Sequence, residues 1–121
     1  MKSGVVHACT NMAEYHAALQ SAGDRLVVLD CGADWCPPCR HMAPIFERLA
    51  GEYPDVVFLS VNVEHVPEIK TAVGNIWALP TFVFLRSGEK QGSFMGADVN
   101  KLRHGLEHNG YVSICGGCAI L

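Results

Sequence analysis

Two cysteines, Cys36 and Cys39, lie within the segment DWCPPCR and form the most reactive pattern in this sequence. They follow an apolar run at 26–29 and precede a segment with helical spacing, so the dithiol falls where a strand passes into a helix. Unpaired N–H groups and the dipole at a helix N-terminus favour thiolate over thiol. We therefore expect Cys36 to be the nucleophile. Cys39, one turn further in and more buried, would attack a mixed disulfide formed on Cys36.

Two other interpretations of this pair have weaker support. A structural disulfide requires an oxidising compartment, and a zinc half-site requires two further ligands at matching spacing. The other C-x-x-C of the chain joins Cys115 and Cys118 in a glycine-rich segment, which is a poor platform for a metal. The sequence thus favours a redox-active pair, and we expect neither a metal nor a cofactor.

The composition indicates one globular domain and argues against a nucleic-acid surface. Half of the 121 residues are hydrophobic, which is enough for a core. The formal net charge is -3 and no Lys/Arg cluster is present, whereas phosphate binding needs concentrated positive charge. We expect proteins or small disulfides as partners. The first residues lack the apolar core of a signal peptide and no segment reaches the length of a membrane span, so we predict a cytoplasmic protein.

Hydrophobic periodicity predicts an α/β domain. The predicted elements are a strand at 5–9, a helix at 12–22 capped by Thr10 or Asn11, a strand at 26–31, a helix after Cys36 with a kink at Pro44, a strand at 56–63, a short helix at 67–73, a hairpin with strands 81–85 and 91–95, and a helix from Asp98 to 107. The order β-α-β-α-β-α-β-β-α implies a central mixed sheet with helices on both faces.

At this level the chain resembles the thioredoxin family over about residues 5–108. The resemblance rests on separate motifs: WCPPCR at 35–40, Asp30 on the preceding strand, Pro44 in the following helix, Leu79-Pro80-Thr81 before the hairpin, and Gly96 after it. It implies a thioredoxin fold and a dithiol, Cys36 and Cys39, that cycles through a disulfide. It also implies that Pro80 follows a cis peptide bond and faces the dithiol.

The resemblance assigns roles to further residues. Asp30 would be the buried acid behind Cys39; a buried carboxylate is costly to ionise, so its pKa should rise and it could exchange a proton with Cys39. The alternative is an acid that caps a turn. We expect Trp35, Trp77, Leu79, Pro80 and Gly96 to contact substrate, Trp35 by shielding one side of Cys36. For Trp77, simple packing is the alternative.

Three positions depart from the common family pattern. Ser60 stands where many members have a lysine near the buried acid, and Gly32 stands where many have a large aromatic residue. Pro37 replaces a glycine in the active-site loop and should stiffen it. We expect a wider opening beside the dithiol and an altered redox potential.

The C-terminal segment carries a second pattern. We predict a domain at 1–109 followed by a flexible tail at 110–121. The tail ends in Cys118-Ala-Ile-Leu, which has the C-a-a-X form of a geranylgeranylation signal, and Cys115 could carry a second lipid. The alternatives are a chance match, or a disulfide between these two cysteines that exchanges with the active site.

Together these features predict a thioredoxin-type enzyme that reduces protein disulfides through Cys36 and Cys39 and receives electrons from a thioredoxin reductase or an equivalent donor. We expect it in the cytoplasm, anchored to the cytosolic face of a membrane if its tail is lipidated. The alternative function is a prenylated, non-catalytic adaptor that holds clients under redox control.

Overall fold

The computed structural model describes residues 2–74 and 76–112. Nine elements follow one another in the predicted order. They are β1 (Val6–Cys9), α1 (Met12–Ala22), β2 (Leu26–Gly32), α2 (Pro37–Glu52), β3 (Val57–Asn62), α3 (Ile69–Val73), β4 (Thr81–Arg86), β5 (Glu89–Met95) and α4 (Val99–Glu107). The helix α2 continues through Pro44 to its end at Glu52.

The strands form one five-stranded mixed sheet in the order β1-β3-β2-β4-β5. β3 pairs in parallel with both β1 and β2, whereas β4 is antiparallel to β2 and to β5. The continuous apolar run that opens β2 predicts a strand covered on both faces, and all four residues at 26–29 are buried. The dithiol therefore follows the central strand of the sheet.

Helices cover both faces because side chains alternate along each strand. Val27, Leu29 and Cys31 of β2 pack in one cluster with residues of α1 and α3. Leu26 and Val28 point the other way, into a cluster with α2 and α4. This second core contains a series of aromatic contacts, with ring centroids 5.0 to 5.7 Å apart between Phe46 and Phe58, Phe46 and Phe82, and Phe82 and Phe94.

Side-chain caps fix where two helices begin. Asn11, one of the two predicted caps of α1, accepts a hydrogen bond from the backbone N–H of Glu14 at 2.8 Å. Glu14 in turn accepts one from the N–H of Thr10 at 2.7 Å, so both orphan donors are satisfied. Asp98 caps α4 as predicted and accepts the N–H of Lys101 at 3.0 Å.

The hairpin differs from its prediction. The loop was expected over five residues at 86–90, but β4 and β5 are longer and only Ser87 and Gly88 connect them. Both turn residues have positive φ, 53° and 79°, which is what a two-residue hairpin turn needs. The charged residues at 89–90 favour a loop, yet they are exposed residues of the edge strand β5.

The packed part of the chain extends past the predicted domain boundary at residue 109. Gly110 is buried against Phe84 and Gln91, and its N–H donates to the carbonyl of Gly105 at 2.7 Å. Val112 packs against the core cluster of α2 and α4. The remainder of the predicted tail, residues 113–121, lies outside the described residues.

Candidate redox-active site

The two cysteines of the loop form a disulfide at the N-terminus of α2, with their Cα atoms 5.2 Å apart. Cys36 is the N-cap of this helix, and Pro37 and Pro38 occupy its first two positions. Prolines are tolerated there because N–H groups in the first turn have no helical partner. Because prolines have no backbone N–H, the N–H of Cys39 is the first one in the helix, and it donates to Cys36 Sγ at 3.3 Å. This donor and the helix dipole would both stabilise a thiolate on Cys36.

The relative burial of the two cysteines is the reverse of the prediction. Cys39 was expected to be the more buried, but it is 9% exposed and Cys36 is 3% exposed. Both residues are buried, and Gly32 on β2 lies beside Cys39. A Cβ atom built on Gly32 would lie 3.2 Å from Cys39 Sγ, so a side chain at position 32 would press against this sulfur.

Asp30 lies behind Cys39, on the central strand β2. Its Oδ1 is buried and makes no hydrogen bond with the described residues. Burial raises the pKa of Asp30 from 3.8 to about 7, as expected for a carboxylate that loses its hydration. The position opposite on β3 is Ser60, so that neighbour supplies no cation. An acid with a pKa near neutrality can give or take a proton at physiological pH.

A groove of about 470 Å³ opens beside Cys36. Trp35 and Trp77, 61% and 77% exposed, lie on its lining together with Leu79 and Ile76. Most of the Trp77 side chain is thus outside the core of the domain. Large apolar side chains at this exposure are typical of surfaces that bind other molecules. We call this cavity the Cys36 groove.

The remaining predicted contact residues lie next to this groove. The Leu79–Pro80 bond is cis, as the resemblance implies, and Leu79 packs against Cys36 and Cys39. Pro80 itself is buried, and its carbonyl accepts the N–H of Gly96 at 2.8 Å. Gly96 has a φ of +101°, a conformation that other residues rarely adopt. The structure thus places Trp35, Trp77 and Leu79 on the groove, and Pro80 and Gly96 adjoin Leu79 along the chain and through this backbone hydrogen bond.

Glu64 belongs to the site but was not predicted from the sequence. Its carboxylate accepts the indole N–H of Trp35 at 2.7 Å, and this bond fixes one wall of the Cys36 groove. Glu64 follows β3, and its own N–H is held by Asn62 Oδ1 at 2.9 Å. The sequence could have indicated that Glu64 lies near Trp35, because these two residues follow the adjacent parallel strands β3 and β2, whose carboxyl ends meet at one edge of the sheet.

Two further cysteines, Cys9 and Cys31, are described and lie in the core. Cys9 and Cys31 are free and buried, and desolvation raises the pKa of both thiols, that of Cys9 to about 11. Such thiols are unreactive near neutral pH. Cys115 and Cys118 lie outside the described residues, so their lipidation stays a prediction. Across residues 2–74 and 76–112, no cluster of three metal-ligating side chains occurs, and no helix has the length and apolarity to cross a membrane.

Comparisons with known proteins agree with this arrangement. The thioredoxin family model matches residues 6–108. Thioredoxin of Gallus gallus is 35% identical over 103 residues, which cover 85% of this chain and 97% of the relative. The crystal structure of spinach chloroplast thioredoxin f, in its short form, superposes with a TM-score of 0.84 at 34% identity, covering 90% of this chain and 96% of that one.

A second similar structure comes from a complex of ferredoxin:thioredoxin reductase and thioredoxin f2. Its matching chain has a TM-score of 0.83 and 28% identity, with 89% of this chain and 97% of that chain covered. The mixed sheet flanked by helices is the thioredoxin fold, as predicted. With its dithiol at the N-terminus of α2, this chain belongs to the thioredoxin family of thiol–disulfide oxidoreductases.

Proposed function

We propose that this protein reduces disulfides in other proteins through Cys36 and Cys39. The observation that carries the proposal is the position of Cys36, a residue that lines the Cys36 groove and whose sulfur caps α2. A thiolate at this position would attack a client disulfide lying in the groove, forming a mixed disulfide with one client sulfur and releasing the other as a thiolate. The apolar side chains of Trp35, Trp77 and Leu79 would hold the client segment beside it.

Cys39 would complete the reaction. Its thiolate attacks Cys36 Sγ, the Cys36–Cys39 disulfide forms, and the second client sulfur leaves as a thiolate. Asp30 is placed to accept the proton of the Cys39 thiol, because its pKa near 7 keeps a fraction of the carboxylate ionised at neutral pH. In this proposal Asp30 acts as general base and Cys39 as resolving nucleophile.

Renewed activity requires an electron donor that reduces the Cys36–Cys39 disulfide. The donor we propose is a thioredoxin reductase or an equivalent enzyme. A similar chain has been crystallised in a complex of ferredoxin:thioredoxin reductase and thioredoxin f2, which supports a reductase that binds the protein directly.

Turnover separates this proposal from the adaptor alternative. Catalytic amounts of the protein should accelerate the reduction of insulin disulfides when a thioredoxin reductase or dithiothreitol regenerates the dithiol. A Cys39→Ser variant should lose turnover and accumulate mixed disulfides on Cys36, because the resolving thiol is gone. Stoichiometric client binding without turnover would instead favour the adaptor. Retained turnover in Cys39→Ser would refute the two-cysteine mechanism.

Membrane attachment through the tail is a separate proposal that rests on the sequence pattern alone. If Cys118 is geranylgeranylated, a single lipid gives reversible attachment, and acylation of Cys115 would make it stable. Wild type and Cys118→Ser should then divide differently between membrane and soluble fractions of the native cell, and the wild type should carry the lipid mass. The same distribution for both, with an unmodified intact mass, would reject lipidation.

A further inference from the structure

Few backbone hydrogen bonds hold the loop that precedes α2. Asp34 and Trp35 take part in no backbone–backbone hydrogen bond among the described residues. The two prolines at 37–38 have no N–H to donate. The N–H of Cys36 donates to the carbonyl of Ala33 at 3.3 Å, which is longer than a typical N–H···O bond. The backbone alone therefore fixes the nucleophile weakly.

Two side chains from different elements hold this loop. Arg40 Nη1 donates to the carbonyl of Asp34 at 2.8 Å. Glu64, which follows β3, accepts the indole N–H of Trp35 at 2.7 Å. Both distances lie within the usual range for hydrogen bonds. The two residues directly before Cys36 are thus tied to α2 by one side chain and to the edge of the sheet by the other.

Arg40 lies one turn into α2, and its side chain reaches back over the start of the helix. Its own N–H donates to the carbonyl of Cys36 at 3.1 Å, so its backbone belongs to the helix rather than to the loop. The guanidinium group is planar, always charged and rich in donors, and a charged donor makes a stronger hydrogen bond than a neutral one. Arg40 therefore binds two carbonyl groups, that of Cys36 and that of Asp34.

We propose that Arg40 is a positioning residue: by holding the Asp34 carbonyl, it sets the orientation of Cys36 toward the Cys36 groove. This inference rests on the proposed function, since it concerns attack on a client disulfide lying in that groove. The attacking thiolate must approach the client sulfur along one direction, and a small misplacement of a reacting group slows a reaction strongly. The Arg40 side chain thus replaces backbone donors that the two prolines lack.

The positive charge of Arg40 offers a different explanation, and salt separates the two. A cation near Cys36 would stabilise the thiolate through space. Arg40 is exposed, so an effect of this kind is screened when the salt concentration rises. The acceptor of the hydrogen bond is a neutral carbonyl group, and the orientation that this bond imposes depends much less on salt. A positioning role therefore predicts an effect that persists at high salt.

The first experiment measures attack on a protein disulfide. Reduced full-length protein is mixed with insulin, and formation of the active-site disulfide in a single turnover is followed by mass spectrometry of quenched samples. Arg40→Met removes the donor and keeps a long side chain. It should slow the attack about fivefold at both low and high salt, because one hydrogen bond from a charged group is lost. Arg48→Met is the matched control and should react at the wild-type rate, since Arg48 is an exposed arginine further along α2.

Two further readouts separate orientation from thiolate stability and from general damage to the fold. Iodoacetamide is small and needs no groove, so its reaction with fully ionised Cys36 should differ by less than about twofold between Arg40→Met and wild type. In the oxidised variant, the amide hydrogen of Cys36 should exchange about fivefold faster, because the loop opens more often. Amide hydrogens of the central strand β2 should exchange at wild-type rates, which would show that the fold is intact.

Three results would overturn the positioning role. They are equal rates of attack on insulin for Arg40→Met and wild type, a deficit that disappears at high salt, and an equal loss of iodoacetamide reactivity. Catalytic insulin reduction by the same wild-type sample tests the proposed function separately. If the wild type turns over and Arg40→Met does so at the same rate, only the role of Arg40 fails.

Discussion

Asp30→Asn should make the oxidised protein more stable at neutral and alkaline pH. Burial raises the pKa of Asp30 from 3.8 to about 7, so the native state holds this proton more tightly than the unfolded chain does. Between these two values unfolding releases a proton, and the free energy of unfolding therefore falls as the pH rises. Asparagine has a similar shape but cannot ionise, so the variant lacks this loss.

The shift in pKa sets the size of the effect. At about 1.36 kcal/mol per pKa unit, the rise from 3.8 to about 7 costs the wild type up to about 4 kcal/mol above pH 7. Near pH 5 the same linkage destabilises the wild type by about 1.7 kcal/mol, and below pH 4 the destabilisation is close to zero. Since a small domain has about 5–15 kcal/mol of total stability, the difference at pH 8 is large enough to measure easily.

Urea unfolding of the oxidised proteins at pH 4, 6 and 8 measures this difference. The stability of Asp30→Asn relative to the wild type should grow with pH and level off above pH 7. Asp55→Asn removes an exposed carboxylate and should follow the wild-type profile, which makes it the control. If the free energies of unfolding of Asp30→Asn and wild type changed in parallel from pH 4 to 8, burial would not disfavour the ionised form of Asp30. The proposed role of Asp30 in proton transfer would then lose its basis.

Two further variants test the groove and the packing of α4. Trp77→Ala should raise the KM for a protein disulfide about tenfold, because Trp77 is an exposed wall of the Cys36 groove. Reduction of small disulfides should be nearly unchanged. The control is Tyr111→Ala, which alters an exposed residue outside the groove and should change neither the KM nor the reduction of small disulfides. Gly105→Ala should lower the free energy of unfolding by about 1–3 kcal/mol, because its Cβ would overlap the Phe84 ring. Gly51→Ala, where a Cβ meets no other atom within 4 Å, should not be destabilising. Urea unfolding of the two variants measures this difference.

The sequence predicts helices and strands well where a residue pattern is typical of a single kind of element. The short apolar run at 26–29 is typical of a strand covered on both faces, and the cap at Asp98 marks a helix start through its own side chain. The predicted strand begins at residue 91, two residues later than β5, because the charged residues at 89–90 lack the apolar alternation that marks a half-buried strand.

Site features that depend on distant contacts could not be predicted in this way. The close approach of Gly32 to Cys39 Sγ joins β2 to α2, although the departure at position 32 is visible in the sequence and predicts a wider opening. The bond from Trp35 to Glu64 joins residues 29 positions apart, and no local pattern reports it. The unpartnered Oδ1 of Asp30 is likewise known only once every neighbour of β2 is in place.

Because Trp35 donates a hydrogen bond to Glu64, Trp35 and Trp77 should lose different amounts of side-chain entropy when a client binds in the Cys36 groove. Trp35 is held in one rotamer before any client arrives, so its ordering adds little to the cost of association. Trp77 has no side-chain hydrogen bond among the described residues and must lose its rotamer freedom on contact, at about 0.5–1.5 kcal/mol. One wall thus offers clients a fixed surface, while the other adapts its ring to each client at an entropic cost.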